Sequence, residues 1–511
     1  MIRRVVFALA ALAFPLQAQT PQSIATAVGS ITPDQIIRRI GVIADDSMRG
    51  RQTPSPELEK VAAFISGEFK RFGLKPGGDS GRFIQRYQIR RTELDTTNSV
   101  IAITGGPTLR IPKDAAPGPG PRDIEASGKV TVLTGASIDA ASAGALGLGG
   151  SVVLVLLGPD DPLGRNSPLI RNLGLINAQR PAAVLLVTSL PDIQWRIFAR
   201  NALNPRVSPA WHADAAGPGN RYGVPVLLVR DSALLPVLTR AGADLPALAR
   251  AAAGPLSATP VAASLSVTLR QRTVAGASAP NVVGIVEGSD PALKGEYVVF
   301  SGHMDHIGVG APDARGDSIN NGADDDASGT IAVVQMAQAF SKLRPRPRRS
   351  LIFLTVSGEE RGLWGSEYFT AHPPVPIGQI VADLNTDMVG RNWKDTVVAI
   401  GKEHSDLGAT LNRVNAAHPE LGMTAIDDLW PEEQFYSRSD HFNFAQKGVP
   451  ILFFFNGVHD DYHRPSDSVD KIDAEKESRI VKLVFYLGLD IADAAEKPKW
   501  NPESYKAIVR P

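Results

Sequence analysis

From about residue 264 to the C-terminus, short apolar runs alternate with longer amphipathic stretches, and this alternation restricts the fold more than any other feature of the chain. The runs lie at 282–286, 297–300, 351–356, 380–384, 397–400 and 451–455, and are rich in Val, Ile, Leu and Phe. Runs of that length, bounded by turn-forming residues, read as strands. Stretches at helical spacing lie between or after several of them, notably 328–343 and 476–494. A strand–helix–strand order predicts an α/β fold, a three-layer sandwich whose mostly parallel central sheet is covered on both faces. In such sheets the ligand site lies beyond the carboxyl ends of the strands.

The segment 31–111 reads as the start of the same domain. Ser55 can cap a helix with Pro56 at its first position and Gly73 past its end, and Leu58, Val61, Ala62, Ile65 and Phe69 recur on one face. A Pro/Gly break follows at 115–121, and the texture then changes to apolar runs at 130–133, 152–157, 183–187 and 224–229. No Glu pair or His cluster accompanies these runs, so 123–258 is expected to be an inserted β-rich module without chemistry of its own. At the N-terminus, Arg3 and Arg4 precede an apolar run over 5–16 and a plausible cleavage site at Leu16-Gln17-Ala18. That anatomy predicts a signal peptide. The run is shorter than the roughly 20 residues a membrane span needs. The expected division is therefore a signal peptide at 1–18, two parts of one α/β domain at 19–122 and 259–511, and the insert at 123–258. The expected destination is secreted or periplasmic, with no membrane attachment after signal removal.

Composition narrows the chemistry. Lys+Arg and Asp+Glu number 53 each, so the net charge of zero gives no reason to expect nucleic acid or an anionic membrane as partner. There is no cysteine, so any metal site must be built from His, Asp and Glu.

Five features sit at strand ends or in the loops after them. His303 follows the strand at 297–300 and can bind metal through one ring nitrogen, with Asp305 placed to orient the ring. Asp324-Asp325-Asp326 lead into a helix, and three adjacent carboxylates require a cation or dense hydrogen bonding if buried. A calcium loop starting at Asp324 would need a bidentate Glu at its twelfth position, where Gln335 stands. Glu359-Glu360 follow the strand at 351–356 and can divide labour, one binding metal and one moving a proton. Asp383 or Asp387 offers a further carboxylate, Asp387 being favoured because it lies beyond the strand. His463 is the last candidate, with His459 as its nearest rival. Two His and three carboxylates with one spare Glu suit zinc, with cobalt or manganese as substitutes.

The order His, Asp cluster, Glu-Glu, Asp, His resembles the zinc aminopeptidase family that includes bacterial leucyl aminopeptidases and glutamate carboxypeptidase-like enzymes. The resemblance is strongest over 264–495 and looser over 31–111. It implies two zinc ions per chain, with Asp325 bridging them, His303 and Asp387 completing one site, and Glu360 and His463 the other. It implies Glu359 as general base and a cis Asp325–Asp326 peptide. The insert is similar to a protease-associated domain. Tyr436 matches the position of the family tyrosine near the substrate carbonyl, His441 is expected to support that loop by hydrogen bonding, and Trp430, Phe435, Glu432 and Glu433 are candidates for the specificity pocket. The implied activity is a two-metal exopeptidase acting on peptides, preferably an aminopeptidase, in which a water between ions about 3.5–4 Å apart attacks the scissile carbonyl. The alternatives are a carboxypeptidase or dipeptidase, a one-zinc glutaminyl cyclase-like enzyme, and a non-catalytic binding protein. The presence of His303 weighs against the cyclase, and the five filled positions weigh against the binding protein.

Overall fold

Strands that are apolar on both faces are stable only between two layers of helices, and the chain supplies both. The structure is a computed structural model that describes residues 19–118, 123–157, 160–164, 166–212 and 224–510; the signal-like segment 1–18 lies outside them, as do residues 119–121 of the Pro/Gly break. The chain divides into two units, Met1–Tyr87 with Ser278–Pro511, and Gln88–Ala277.

In the first unit we number the strands β1 (Ile84–Leu94), β2 (Gln271–Val286), β3 (Tyr297–His303), β4 (Ser350–Val356), β5 (Ile380–Thr386), β6 (Thr396–Ile400), β7 (Thr424–Ile426) and β8 (Ile451–Phe455). The first two also carry the chain out of this unit and back. The sheet order is β7-β6-β8-β5-β3-β4-β2-β1. Its centre is parallel: β3 pairs in parallel with β4 and β5, and β5 with β8. Pairing turns antiparallel at β2–β4 and β6–β8. Every residue of β4, β5 and β8 is buried.

Successive side chains of a strand point to opposite faces, and the core divides accordingly. Phe300 and Phe353 join the helices α1 (Pro33–Ile43), α2 (Pro56–Arg71), α3 (Gly329–Lys342) and a later helix, Ala474–Asp493, on one face. Val299 and Ile352 face Phe369 and Phe444, from the helices Trp364–Ala371 and His441–Gln446, on the other. This is the expected three-layer arrangement. The helix α2 begins as its sequence signals require, with Ser55 accepting a hydrogen bond from the Leu58 amide at 3.0 Å and Pro56 in the first turn. In the helix Ala474–Asp493, Gly488 lies against the Phe300 ring, where an added Cβ would stand 2.3 Å from a ring carbon. Gly488→Ala is therefore expected to lower stability by about 1–3 kcal/mol through overpacking. A denaturant midpoint equal to that of the parent would show that the helix shifts to make room.

The second unit has its own sheet, in which Ile124–Thr134, Val152–Leu156, Ala183–Thr188 and Val226–Arg230 form a parallel run. It differs from the expected β-rich module at 123–258 in three ways. Helices such as Asp192–Ala202 and Asp231–Arg240 accompany the strands. The unit reaches outward on both sides, because Ser257–Leu269 pairs with Val100–Ile103 as well as with Ile124–Thr134. The Pro/Gly break is not a boundary: Ala115–Pro117 is a buried strand at the end of this sheet, antiparallel to Val226–Arg230. A proline cannot donate to a ladder but is tolerated at a sheet edge, so the local turn signal and the strand are compatible. Among the described residues no helix is long and apolar enough to cross a membrane.

Candidate active site

Four neighbouring parallel strands, β4-β3-β5-β8, end at one edge of the sheet and deliver most of the chemistry. The strand β3 ends at His303 and continues into Met304-Asp305-His306; the other three are followed by Glu359 and Glu360, by Asp387, and by His459 and His463. Asp325 comes from the loop that leads into α3. These side chains form two groups able to hold a cation: His303, Asp325 and Asp387; and His306, Asp325, Glu360 and His463. Within each group the donor atoms all lie within 4.8 Å of one another.

Asp325 belongs to both. Its Oδ1 lies 3.4 Å from His303 Nε2, and its Oδ2 lies 3.1 Å from His463 Nε2 and 3.7 Å from His306 Nδ1. Asp387 Oδ1 is 3.6 Å from His303 Nε2. The carboxylate of Glu360 reaches His463 Nε2 at 3.3 Å and His306 Nδ1 at 2.8 Å. The donors are nitrogen and oxygen only, a set suited to zinc. Asp325 Oδ2, Glu360 Oε1 and both ring nitrogens of His306 are buried without a hydrogen-bond partner. Lone pairs left unpaired in an interior are costly, and a cation would satisfy them, so the residues fit the metal.

The two aspartates flanking Asp325 hold backbone. Asp326 accepts hydrogen bonds from the amides of His303, Gly329 and Met388 at 3.0, 2.9 and 3.1 Å. Asp324 Oδ1 accepts from the Gly390 amide at 2.7 Å and the Ser328 hydroxyl at 3.0 Å. Asp467 accepts from the amides of Asp324 and Asp325. The Asp325–Asp326 peptide is cis, as the family resemblance implies. The loop is also gripped by Arg51, which is fully buried. Its guanidinium donates to the carbonyls of Met304 (2.9 Å), Gly322 (2.7 Å) and Asp325 (3.2 Å), and to that of Asn321. Burial pulls the pKa of Arg51 below its ordinary value, opposed by the charges of Asp325, Asp326, Asp305 and Asp467.

The adjacent glutamates are driven apart electrostatically. Burial, reinforced by Glu360, Asp440 and Asp387 and opposed by His303, holds the Glu359 carboxyl well above the usual carboxylate range. Burial also raises Glu360, but the imidazoles of His306 and His463 outweigh it and hold Glu360 below that range. Two carboxyls whose environments push them in opposite directions are suited to different roles. Asp305 links the two sides: its Oδ1 accepts from the Glu359 amide at 3.3 Å and its Oδ2 from the Thr53 hydroxyl at 2.8 Å. It meets the His303 ring through its backbone oxygen, 3.2 Å from Nδ1, more closely than through its carboxylate at 3.8 Å.

His303, Asp325, Glu359 and Asp387 line one side of a cavity, and Met388, Phe435, Phe453, Phe455, Val458 and Tyr462 supply its apolar side, with Arg438 and Ser439. Tyr436 is not among the residues of this wall. Its ring packs against His404, at 4.4 Å between centroids, and lies against Gly401, where the absence of a side chain admits it. The tyrosine at the wall is Tyr462, stacked on His463 at 3.9 Å between ring centroids. His441 Nε2 donates to the Tyr436 carbonyl at 2.8 Å and so ties that loop. His459 turns away from both donor groups, 3.3 Å from Asp324 Oδ2, and Asp383 is buried within β5, accepting from the Ser301 hydroxyl at 2.8 Å. Of the expected pocket formers, Phe435 lines the cavity while Trp430, Glu432 and Glu433 do not. Sequence reasoning missed His306, Arg51 and Tyr462. His306 stands three residues after His303 and was open to notice; nothing in the local sequence marks Arg51.

The family description "Peptidase family M28" matches residues 281–488. The chain is 25% identical to a "probable zinc metalloprotease" of Leptosphaeria maculans over 258 residues, 43% of this chain and 58% of that protein. It is 27% identical to leupeptin-inactivating enzyme 1 of Streptomyces exfoliatus over 211 residues, 41% of this chain and 43% of that protein. It is 24% identical to the aminopeptidase YwaD of Bacillus subtilis over 252 residues, 47% of this chain and 50% of that protein. The chain thus spans about half the length of the curated relatives it matches. In fold it is similar to the solved aminopeptidase from Aneurinibacillus sp. strain AM-1, with a TM-score of 0.52, 16% identity, and coverage of 94% of this chain and 98% of that one. The matched residues 281–488 contain every side chain of the two donor groups, so it is over the site itself that the chain is similar to peptidase family M28.

Proposed function

We propose that the protein is a two-zinc exopeptidase that removes N-terminal residues from peptides. The observation that carries this reading is Asp325, which offers one carboxylate oxygen to each donor group, beside a Glu359 that belongs to neither. His303 and Asp387 complete one site, and Glu360 and His463 complete the other. When bound, two such ions supply Lewis acidity and lower the pKa of a water molecule. The protein's own groups do the rest. Glu359, desolvated and high in pKa, takes the proton of the attacking water and returns it to the leaving amine. Asp305 holds the Glu359 amide, and so the base, in place. Tyr462, a residue of the cavity wall, offers its hydroxyl as a donor to the oxygen on which charge develops. Phe435, Phe453, Phe455 and Val458 receive an apolar side chain.

The choice of the N-terminal end rests on the relatives, which include aminopeptidases. Arg438 favours the second reading, a carboxypeptidase or dipeptidase. Hydrolysis of matched peptides with blocked N- or C-termini separates the two: an aminopeptidase should lose N-acetylated substrates and keep C-amidated ones, and the reverse pattern would reject this assignment. The segment 1–18 supports export to the periplasm or medium. The Gln88–Ala277 unit, lying in the chain between two parts of the peptidase unit, is read as a protease-associated insert.

A further inference from the structure

We propose that His306 is a metal ligand, and that the donor group containing it retains its ion while the group of His303, Asp325 and Asp387 exchanges its own. The inference rests on the two-metal reading above and goes beyond the five ligands which the family resemblance implies.

The first argument is the state of the imidazole. The His306 side chain is completely buried. Gly322 presses on it so closely that an added Cβ would stand 2.6 Å from ring carbons, and the His463 ring meets it edge-on at 5.5 Å between centroids. Neither ring nitrogen has a hydrogen-bond partner. Nδ1 stands 2.8 Å from Glu360 Oε1, an ion-pair distance, and neither atom completes a hydrogen bond. A histidine kept for packing usually satisfies at least one nitrogen, because an orphaned polar group in the interior is costly. The neighbouring histidines meet that expectation: His303 Nδ1 faces the Asp305 carbonyl at 3.2 Å, and His441 Nε2 donates to Tyr436. His306 instead points a free nitrogen at the carboxylates of Glu360 and Asp325, where a cation would satisfy all three.

The second argument is ligand number. With His306 included, one group has four side-chain donors and the other three. Four protein ligands are the mark of zinc sites that hold their ion without an open position, and three leave a place for water or substrate. The difference between the groups is one neutral imidazole, which adds a donor without adding charge.

The test is metal retention, which does not depend on turnover. Zinc-loaded protein is dialysed against rising concentrations of a chelator, and bound metal is measured by mass spectrometry. The parent is expected to fall from two ions per chain to one and to hold there. Asp387→Asn should start nearer one ion and keep it. His306→Ala should lose the retained ion at a chelator concentration lowered by more than the 10–100-fold that loss of an outer-sphere partner brings. The one-cobalt form of His306→Ala should also differ from the parent in its visible d–d spectrum, which a role confined to packing would leave unchanged. If His306→Ala does not fold, His306→Gln fills the space without an imidazole nitrogen and is read in the same way. A His306 variant with the parent's retention curve and cobalt spectrum overturns the inference and leaves the two-metal reading standing. A parent protein that never takes up more than one ion overturns both.

Discussion

Glu359→Gln is expected to lower kcat by about 100- to 10,000-fold, the range that a positioned general base contributes. Metal content and unfolding midpoint should stay at the parent's values. The expectation follows from the division within the glutamate pair. Glu360 contacts His306 and His463 directly, whereas Glu359 belongs to neither donor group. Glutamine keeps the volume of the side chain, and the contact made by the Glu359 backbone amide with Asp305 survives the change. Only the ability to accept and return a proton is removed. Turnover of an aminoacyl anilide, measured beside zinc content, checks the result. Parallel loss of zinc and activity would mean that Glu359 is a ligand, and full activity would mean that the base lies elsewhere.

Arg51→Leu is expected to destabilise the metal-free protein by about 3–5 kcal/mol, the loss typical of removing one partner from a buried ionic network. The guanidinium satisfies loop carbonyls at Met304, Asn321, Gly322 and Asp325, and the charges of Asp325, Asp326, Asp305 and Asp467 favour its protonated form. Leucine would leave the carbonyls unpaired and the carboxylates without that charge. Arg51→Lys should recover little, because an ammonium cannot reproduce the guanidinium fork that spans several carbonyls. Excess zinc should restore part of the midpoint, since a ligand that binds only the folded state stabilises it by mass action. Urea unfolding with and without zinc measures both effects. A leucine variant as stable as the parent would show that water takes over the carbonyls, and Arg51 would then have no positioning role.

The central strands were legible because burial on both faces leaves a local mark, an unbroken apolar run of strand length. The expected strands at 351–356 and 451–455 differ from Ser350–Val356 and Ile451–Phe455 by at most one residue. The site was partly legible for a related reason: in a parallel sheet, polar residues directly after such a run must stand at the carboxyl edge. His303, Glu359, Glu360 and Asp387 could thus be gathered from sequence position, and the structure brings them together with Asp325 and His463.

What the sequence alone determined is the identity of the strands, the helices that cover them, and the loops that had to meet at one edge. Only the tertiary structure decided how other side chains divide within those loops: that Tyr462 and not Tyr436 reaches the cavity, and that His306 joins the second group. It also decided that Ala115–Pro117 ends inside a sheet and that Arg51 holds a loop about 270 residues away in the chain. The physical reason is common to all of these. Strand identity and capping depend on neighbours a few positions apart, which a sequence displays. A side chain's direction and a buried guanidinium's partners depend on backbone brought together by folding, and no periodicity records them.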